Sequence, residues 1–275
     1  PGPPSPGGRK PMSDRPAILV SGASRGIGRA VARWLGRAGA GVGLMARTVD
    51  GLEAAAEEVR REGGEALVLP GDVADFDRCS QCVERAVERF GRLNGLVNNA
   101  GIVQPLAPVA RTDPRAWQRN LEVNLLGPYA LTRAALVELR ADSGRVVNIS
   151  SGAAQMVIES ASAYCAAKAG LTHFTRILAA EEPDLVVVAL SPGVVDTAMQ
   201  EALREAGPES MSTEQTETYR RLHLEGALVP PRLPARSAAW LVLKGPKALS
   251  GRFLSYDDPE VAGPAEEALG PTWVD

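Results

Sequence analysis

The sequence predicts an α/β protein with a doubly wound parallel sheet and helices on both faces. Two observations support this. Apolar and amphipathic segments alternate from residue 17 onward, and the apolar segments are near-continuous runs of Val, Ile and Leu. Strands that alternate with helices favour right-handed crossovers and a parallel sheet. Strands without polar alternation are typical of a sheet buried on both faces.

The predicted elements follow one another along a chain of 275 residues, which is long enough for one large domain. The predicted strands are 17–21, 41–46, 66–70, 95–98, 145–150, 185–190 and 251–255. The predicted helices are 27–38, 50–62, 75–90, 114–140, 162–181 and 234–244. Because no linker interrupts this alternation, the sequence predicts a single domain over residues 16–258.

Three segments fall outside the regular pattern. Residues 1–15 begin with "PGPPSPGGRKP", a composition that predicts a flexible N-terminal tail. Residues 196–230 are polar and too long for a routine connection. They follow a strand's carboxyl end, where α/β sheets bind ligands, which favours a substrate lid over a surface insertion. Residues 259–275 are rich in Pro, Gly, Glu and Ala, and we expect a C-terminal tail.

Composition and charge exclude several classes of partner. A net charge of -3 and an isoelectric point near 5.6 provide no general attraction to nucleic acid or to acidic membranes. Aromatic residues make up 4%, which disfavours a base-stacking surface. No apolar run approaches the length of a membrane span, and none resembles a signal peptide. We therefore expect a cytoplasmic protein that binds neither nucleic acid nor membrane.

The cysteines and histidines do not predict a metal site. Cys79 and Cys82 form a C-x-x-C, but no second ligand pair or thioredoxin-like context accompanies it. Cys79 shares a helical face with apolar residues, which favours core cysteines over a redox or metal pair. His173 and His223 lie far apart without ligand spacing. We predict no bound metal.

The segment "SGASRGIG" (21–28) follows the first strand and opens the first helix. A glycine turn at that place presents backbone N–H groups and the positive end of a helix dipole to a phosphate. Gly22 permits the turn, Gly26 lets a pyrophosphate approach, and Gly28 lets helix and strand pack closely. The spacing departs from the common G-x-G-x-x-G, and glycine turns also occur without ligands.

The end of the second strand indicates which dinucleotide binds. An acid there would accept hydrogen bonds from the ribose of NAD and repel a 2′-phosphate. This chain has Ala46 and Arg47 at that position, and Arg25 lies in the glycine loop. Guanidinium groups suit a phosphate, so the sequence predicts NADP(H) rather than NAD. Asp50 argues the other way, and two unrelated surface arginines are the alternative.

The stretch "SAYCAAK" (162–168) places Tyr164 and Lys168 on one helical face. The chain has only four lysines, so Lys168 marks a place where a compact ammonium is needed. We expect this ammonium to lower the pKa of the phenol so that Tyr164 exchanges protons at neutral pH. Ser151 ends a strand and is the candidate to bind a substrate oxygen, with Ser150 as the alternative.

These residues resemble the short-chain dehydrogenase/reductase family of the classical type over about residues 16–256. The resemblance rests on separate motifs in the expected order. They are "SGASRGIG", "GDV" (71–73), "NNAG" (98–101), "VNL" (123–125), Ser151 with Tyr164 and Lys168, and "SPGVVDT" (191–197).

The resemblance implies a seven-stranded Rossmann-type sheet and a tyrosine-based hydride transfer. Asp72 and Val73 would contact adenine, Asn124 would hold a water that relays protons to Lys168, and Lys168 would bind the nicotinamide ribose. The implied catalytic residues are Ser151, Tyr164, Lys168 and Asn124. The implied cofactor residues are Gly22, Ser24, Arg25, Gly26, Ile27, Gly28, Arg47, Asp72, Val73, Asn98, Ala100, Gly101, Tyr164, Lys168, Pro192, Gly193, Val195 and Thr197. Family members associate through helices equivalent to 114–140 and 162–181, which implies a homodimer or homotetramer.

The C-terminal third resembles the sepiapterin reductase and benzil reductase group most. Where pterin-reducing members carry an aspartate in the final strand, this chain has Ser255, with acids only at Asp257 and Asp258. We therefore expect an NADPH-dependent carbonyl reductase that acts on a less polar ketone or diketone. The alternatives are a 3-oxoacyl-thioester reductase, a broad alcohol dehydrogenase, and a non-catalytic NADP(H)-binding regulator.

Overall fold

A computed structural model describes residues 15–273. Its sheet has seven parallel strands in the order β3-β2-β1-β4-β5-β6-β7, which confirms the predicted fold. The strands are β1 Ala17–Ser21, β2 Gly41–Ala46, β3 Glu65–Pro70, β4 Gly95–Asn98, β5 Arg145–Ile149, β6 Val186–Ser191 and β7 Phe253–Ser255.

Helices cover both faces of the sheet. They are α1 Gly26–Arg37, α2 Val49–Arg61, α3 Phe76–Phe90, α4 Pro114–Leu121, α5 Gly127–Ala141, α6 Ser162–Glu181, α7 Ala198–Ser210, α8 Thr213–Leu224, α9 Arg232–Lys244 and α10 Pro259–Leu269. In the described part of the chain, no helix combines the length and apolar character needed to cross a membrane.

Two apolar cores lie on opposite faces of the sheet, and β1 contributes to both. Ile18 and Val20 pack with α1, α2, α9 and α10, whereas Leu19 packs with α3, α5 and α6. Successive side chains of a strand point to opposite faces. This two-sided burial explains why the strands are apolar at every position.

The predicted helix over 114–140 contains a change of helix type. Between α4 and α5, Glu122–Leu126 form a π-helical turn, which holds one residue more per turn than an α-helix. The side chain of Asn124, in the middle of this turn, is completely buried. Hydrophobic periodicity does not reveal such a turn, because the apolar pattern continues through it.

The C-terminal segment differs from the prediction. Residues 259–275 are not a tail throughout, since Pro259–Leu269 form α10, whose Val261 and Ala265 are buried against the domain. Beyond α10, the ring of Trp273 lies 4.8 Å from that of Trp34. The helix begins with proline at its first position, a favoured start that a composition argument overlooks. The expected N-terminal tail, residues 1–15, lies outside the described residues except for the last.

The cysteines of the C-x-x-C are core residues, as predicted. Cys79 and Cys82 are both buried, and neither forms a disulfide. Burial raises the pKa of the Cys79 thiol to about 12, so it stays protonated at neutral pH. A protonated, buried thiol is a poor nucleophile and a poor metal ligand.

Candidate active site

The described residues enclose a cavity of about 990 Å³ at the carboxyl ends of the strands. It lies where the strand order reverses between β1 and β4, the place at which open α/β sheets bind ligands. Every predicted site residue lines it except Gly28, Asn98 and Asn124. Its volume lies at the upper end of the range of about 300–1,000 Å³ that ligand pockets measure.

The glycine loop between β1 and α1 depends on its glycines for different reasons. Gly22 has a φ of +66°, and a Cβ there would lie 2.8 Å from the Cα of Ala100. A Cβ on Gly28 would lie 2.3 Å from the carbonyl oxygen of Gly22. Gly28 therefore lets α1 pack closely against the turn after β1, as predicted, and it does not itself line the cavity.

Ser21 and Asn99 tie the glycine loop to the turn after β4, and neither was among the predicted site residues. The Asn99 amide donates to the carbonyl oxygens of Ser21 at 3.0 Å and Gly22 at 3.2 Å. The Ser21 hydroxyl accepts the backbone N–H groups of Asn99 and Ala100. The motif "NNAG" contains Asn99, but which asparagine reaches the loop depends on how β1 and β4 pair.

The N-terminus of α1 is suited to an anion. Its N-cap residue, Arg25, makes no side-chain cap, and its first turn has no acidic residue. The next long helix on the other face, α3, is by contrast capped by Asp75. Gly26 has a φ of +55°, and a Cβ there would meet only a methyl of Thr197 at 3.4 Å, so its side lies open to the cavity. Uncapped N–H groups beside an open glycine form a cradle that fits a pyrophosphate.

Two arginines line the cavity at this end. Arg25 follows β1 and Arg47 follows β2, and both side chains are exposed. No acidic residue occupies the end of β2. The arrangement gives a phosphate two guanidinium groups and no opposing carboxylate at that position.

Asp72 after β3 is held by a residue that the sequence analysis missed. One carboxylate oxygen accepts the N–H of Ala74 at 3.0 Å, and the other forms an ion pair with Arg119 of α4. Arg119 also lines the cavity. It lies 47 residues from Asp72 in sequence, and no local pattern marks the pairing.

Ser151, Tyr164 and Lys168 come together deeper in the cavity. Ser151 lies just beyond β5, while Tyr164 and Lys168 lie one turn apart on α6 and are both buried. The Lys168 ammonium lies 5.6 Å from the centre of the Tyr164 ring and donates to the carbonyl oxygen of Ile149 at 2.7 Å. The alternative Ser150 bonds instead with Thr172 at 2.7 Å, so its hydroxyl serves packing.

Burial controls the protonation of these groups. It raises the pKa of Tyr164 to about 12, and a hydrogen bond with Ser151 acts in the opposite direction. It lowers the pKa of Lys168 to about 8. The expected lowering of the phenol's pKa by Lys168 is therefore not seen, because desolvation disfavours both charged forms. At pH 7 Tyr164 is a neutral phenol that can donate a proton.

Asn124 and Asn98 lie behind the cavity wall. Asn124 accepts the N–H of Ile102 at 3.3 Å and donates to its carbonyl oxygen at 2.8 Å. Asn98 donates to Asn148 at 2.8 Å and to Thr132 at 3.1 Å. Asn98 thus joins β4 to β5 and α5, and it does not line the cavity.

The segment predicted as a lid forms two helices over the cavity. Its ends are held together by a parallel bridge between Val195 and Val229. Between them, α7 contributes Met199 and Leu203 to the cavity and α8 contributes Tyr219. Sequence reasoning named no residue of these helices, because their polar pattern does not show which face packs inward.

The final strand supplies no carboxylate to the cavity. Ser255, Asp257 and Asp258 are absent from its lining in the described chain. Asp258 instead accepts the N–H of Ser255 at 2.7 Å, and the Ser255 hydroxyl bonds to Asp257. A substrate with a cationic or strongly donating ring would find no acidic partner from this strand.

Comparison with known proteins agrees with this geometry. A family model described as short chain dehydrogenase matches residues 16–207. A benzil reductase ((S)-benzoin forming) of Saccharomyces cerevisiae is 36% identical over 90% of this chain and 98% of its own length. The crystal structure of the yeast short chain dehydrogenase/reductase YIR035C is 36% identical, covering 90% of this chain and 98% of its own, with a TM-score of 0.86. An actinorhodin polyketide ketoreductase structure with NADPH is 32% identical, covering 88% and 95%, with a TM-score of 0.79.

Proposed function

The chain belongs to the short-chain dehydrogenase family, and we propose that it is an NADPH-dependent carbonyl reductase that transfers hydride to a ketone or diketone. The observation that carries this proposal is the convergence of Ser151, Tyr164 and Lys168 in one cavity, with Arg25 and Arg47 at its other end. Members of the family use a nicotinamide cofactor, and the cradle at α1 fits its pyrophosphate.

The chain's own residues handle the substrate oxygen and its proton. When bound, the reduced cofactor supplies the hydride that the carbonyl carbon accepts. The Ser151 hydroxyl donates a hydrogen bond to the carbonyl oxygen, and Tyr164 delivers a proton to it as negative charge develops. The raised pKa of Tyr164 keeps this proton in place at neutral pH.

Lys168 and Asn124 are proposed to resupply the proton. With a pKa near 8, the ammonium of Lys168 remains mostly protonated at pH 7. A Cβ on Gly101 would lie 2.8 Å from the Asn124 side-chain oxygen and 3.8 Å from the Lys168 ammonium. Both groups therefore approach the same short stretch of backbone, which supports a relay between them.

The preference for NADPH rests on Arg25 and Arg47. Their guanidinium groups are suited to the 2′-phosphate that distinguishes NADP(H) from NAD(H). A relative at 32% identity whose structure includes NADPH supports the same choice.

The substrate class rests on the cavity wall and on a relative. Beyond Tyr164 the wall includes Ile102, Ile158 and Leu203, which favour an apolar carbonyl compound. The final strand adds no carboxylate, which disfavours a pterin. The benzil reductase among the relatives supports an aromatic diketone.

A screen of NADPH oxidation tests the proposal. Purified protein is offered diketones, aryl ketones, pterins and 3-oxoacyl thioesters with NADPH or NADH. We expect turnover of diketones and aryl ketones with NADPH. Preferred turnover of the thioesters would favour the alternative reductase, and NADPH binding without any turnover would favour a regulator.

We also propose self-association through α5 and α6. These helices expose apolar side chains, including Val137 at 72% and Ile177 at 43%, and Tyr129 packs edge-on against Phe174 beside them. An exposed apolar face of this kind is typical of an interface. Light scattering should give the mass of a dimer or tetramer. Val137→Glu places a charge on this face and should lower the measured mass.

A further inference from the structure

The substrate end of the cavity combines apolar walls with a few polar side chains. Among the described residues, the apolar lining at this end comes from Ile102, Ile158, Val194, Met199 and Leu203. Apolar walls exclude water but do not orient a ligand, so orientation falls to the few hydrogen-bonding groups. Ser151 and Tyr164 are assigned to the reacting carbonyl. A further donor would recognise another part of the substrate.

Tyr219 of α8 is such a donor. Its side chain lines the cavity, and in the described chain its hydroxyl has no hydrogen bond. Its phenol also raises the pKa of Tyr164, so the two groups are within electrostatic range. Burial raises the pKa of Tyr219 itself, which keeps the hydroxyl protonated and able to donate at neutral pH.

The start of α8 is fixed to the loop that follows Ser151. The N–H of Ser212 donates to Glu159 at 2.6 Å, and the N–H of Glu159 donates to Gln215 at 3.0 Å. Gln215 and Tyr219 are four residues apart and share one face of the helix. Tyr219 therefore lies one helical turn from the point where α8 is fixed to the loop after Ser151, which limits where its hydroxyl can lie in the cavity.

We propose that Tyr219 is a specificity-determining residue and that the preferred substrates are dicarbonyl compounds whose non-reacting oxygen accepts a hydrogen bond from its hydroxyl. The inference rests on the proposed carbonyl reduction and extends it. Ser151 and Tyr164 bind the oxygen of the carbonyl group that is reduced, and Tyr219 binds the oxygen of the other carbonyl group. The apolar walls contact the substituents. A monoketone of the same shape leaves the Tyr219 hydroxyl without a partner, which weakens its binding.

Benzil and deoxybenzoin form a matched pair of probes, because deoxybenzoin lacks one of benzil's two oxygens. Their carbonyl groups differ in intrinsic reactivity, so the informative quantity is the change that Tyr219→Phe makes to each. We expect kcat/KM for benzil to fall about 10-fold and that for deoxybenzoin to change less than about 2-fold, as loss of one hydrogen bond implies. Thr218→Val, which removes an exposed hydroxyl from the same helix, is the control and should change neither.

A binding measurement separates this proposal from the proposed function. In the Tyr164→Phe background with NADPH bound, calorimetry measures both ligands without turnover. Tyr219→Phe added to that background should weaken the binding of benzil about 10-fold and leave the affinity for deoxybenzoin unchanged. An equal loss of affinity for both ligands, or no loss of affinity for benzil, would overturn the role of Tyr219. A selective loss in binding with no turnover by the original protein would overturn carbonyl reduction alone.

Discussion

The two ends of the cavity are built in different ways. The phosphate end, formed by the glycine loop, Arg47 and Asp72, consists of short turns that directly join strands to helices of the core. The substrate end is covered by α7 and α8, which leave the sheet at Val195 and return at Val229. The first end is shaped by backbone geometry and the second by how two added helices pack.

The difference is visible in the hydrogen bonds. At the phosphate end, Asn99 and Asp72 each bond to backbone N–H or carbonyl groups. In α7 and α8, Gln200 and Thr216 are buried, and their side-chain polar atoms have no partner within the described residues. An unpaired buried polar group costs about 1–3 kcal/mol. Within the described residues, the polar groups of the phosphate end are thus paired more completely than those of α7 and α8.

The largest effect is expected at the substrate end, from Tyr164→Phe. Loss of the proton donor should lower kcat about 1,000-fold, within the range of general acid catalysis. The affinity for NADPH should stay nearly unchanged, because the phosphate end is intact. Stopped-flow absorbance and cofactor fluorescence measure the two quantities. Residual activity above a few per cent would remove Tyr164 from its role.

At the phosphate end, Arg47→Asp should shift the cofactor preference toward NADH. A carboxylate there repels a 2′-phosphate, and loss of a charge-assisted contact of about 1.5–3 kcal/mol corresponds to roughly 10- to 100-fold in the NADPH/NADH ratio of kcat/KM. Arg60→Asp, exposed on α2, carries the same change of charge and should leave the ratio unchanged. An unaltered ratio in Arg47→Asp would contradict a phosphate clamp.

Lys168→Met should show that the buried ammonium of Lys168 lowers the stability of the fold. Burial holds the pKa of Lys168 near 8, below the ordinary 10.5, so the unfolded chain binds more protons. The free energy of unfolding should therefore rise with pH between about 8 and 10.5. At pH 7, without cofactor, the variant should be about 2 kcal/mol more stable than the original in urea, after allowing for the lost bond to Ile149.

The gain in stability from Lys168→Met should shrink towards pH 10. Lys247→Met is the matched control, because Lys247 is exposed and also donates to a backbone carbonyl, that of Leu185. The Lys247→Met variant should be no more stable than the original protein. A gain that persisted unchanged at pH 10 would exclude the buried charge as its cause.

The smallest effect is expected from Gly26→Ala. Strain at a φ of +55° should destabilise the protein by about 1 kcal/mol, and the methyl group should raise the KM for NADPH about 10-fold by filling the cradle. Gly39→Ala is the control, because Gly39 has a φ of +75° and nothing within 4 Å of the added Cβ. It should lower stability through backbone strain without changing the KM for NADPH. Equal cofactor affinity in both variants would mean that no phosphate rests at Gly26.

The phosphate end was largely predictable because its chemistry depends on residue types at short range. Gly22 and Gly26 have backbone angles that favour glycine. Gly22 directly follows β1 and Gly26 begins α1, so both belong to one short strand–turn–helix segment. The partners of Asp72 and Asn99 were not predictable. Arg119 reaches Asp72 through the position of α4, and Asn99 reaches the loop through the pairing of β1 with β4.

By itself, the sequence determined the alternation of strands and helices, the parallel sheet, the glycine turn and the pairing of Tyr164 with Lys168 on one helix. These features follow from local periodicity and from residues that few conformations accept. Only the tertiary structure decided that burial raises the pKa of Tyr164, that residues 259–269 form a packed helix, and that Tyr219 lines the cavity. Each of these depends on which distant segments exclude water from a side chain, and no local pattern specifies that.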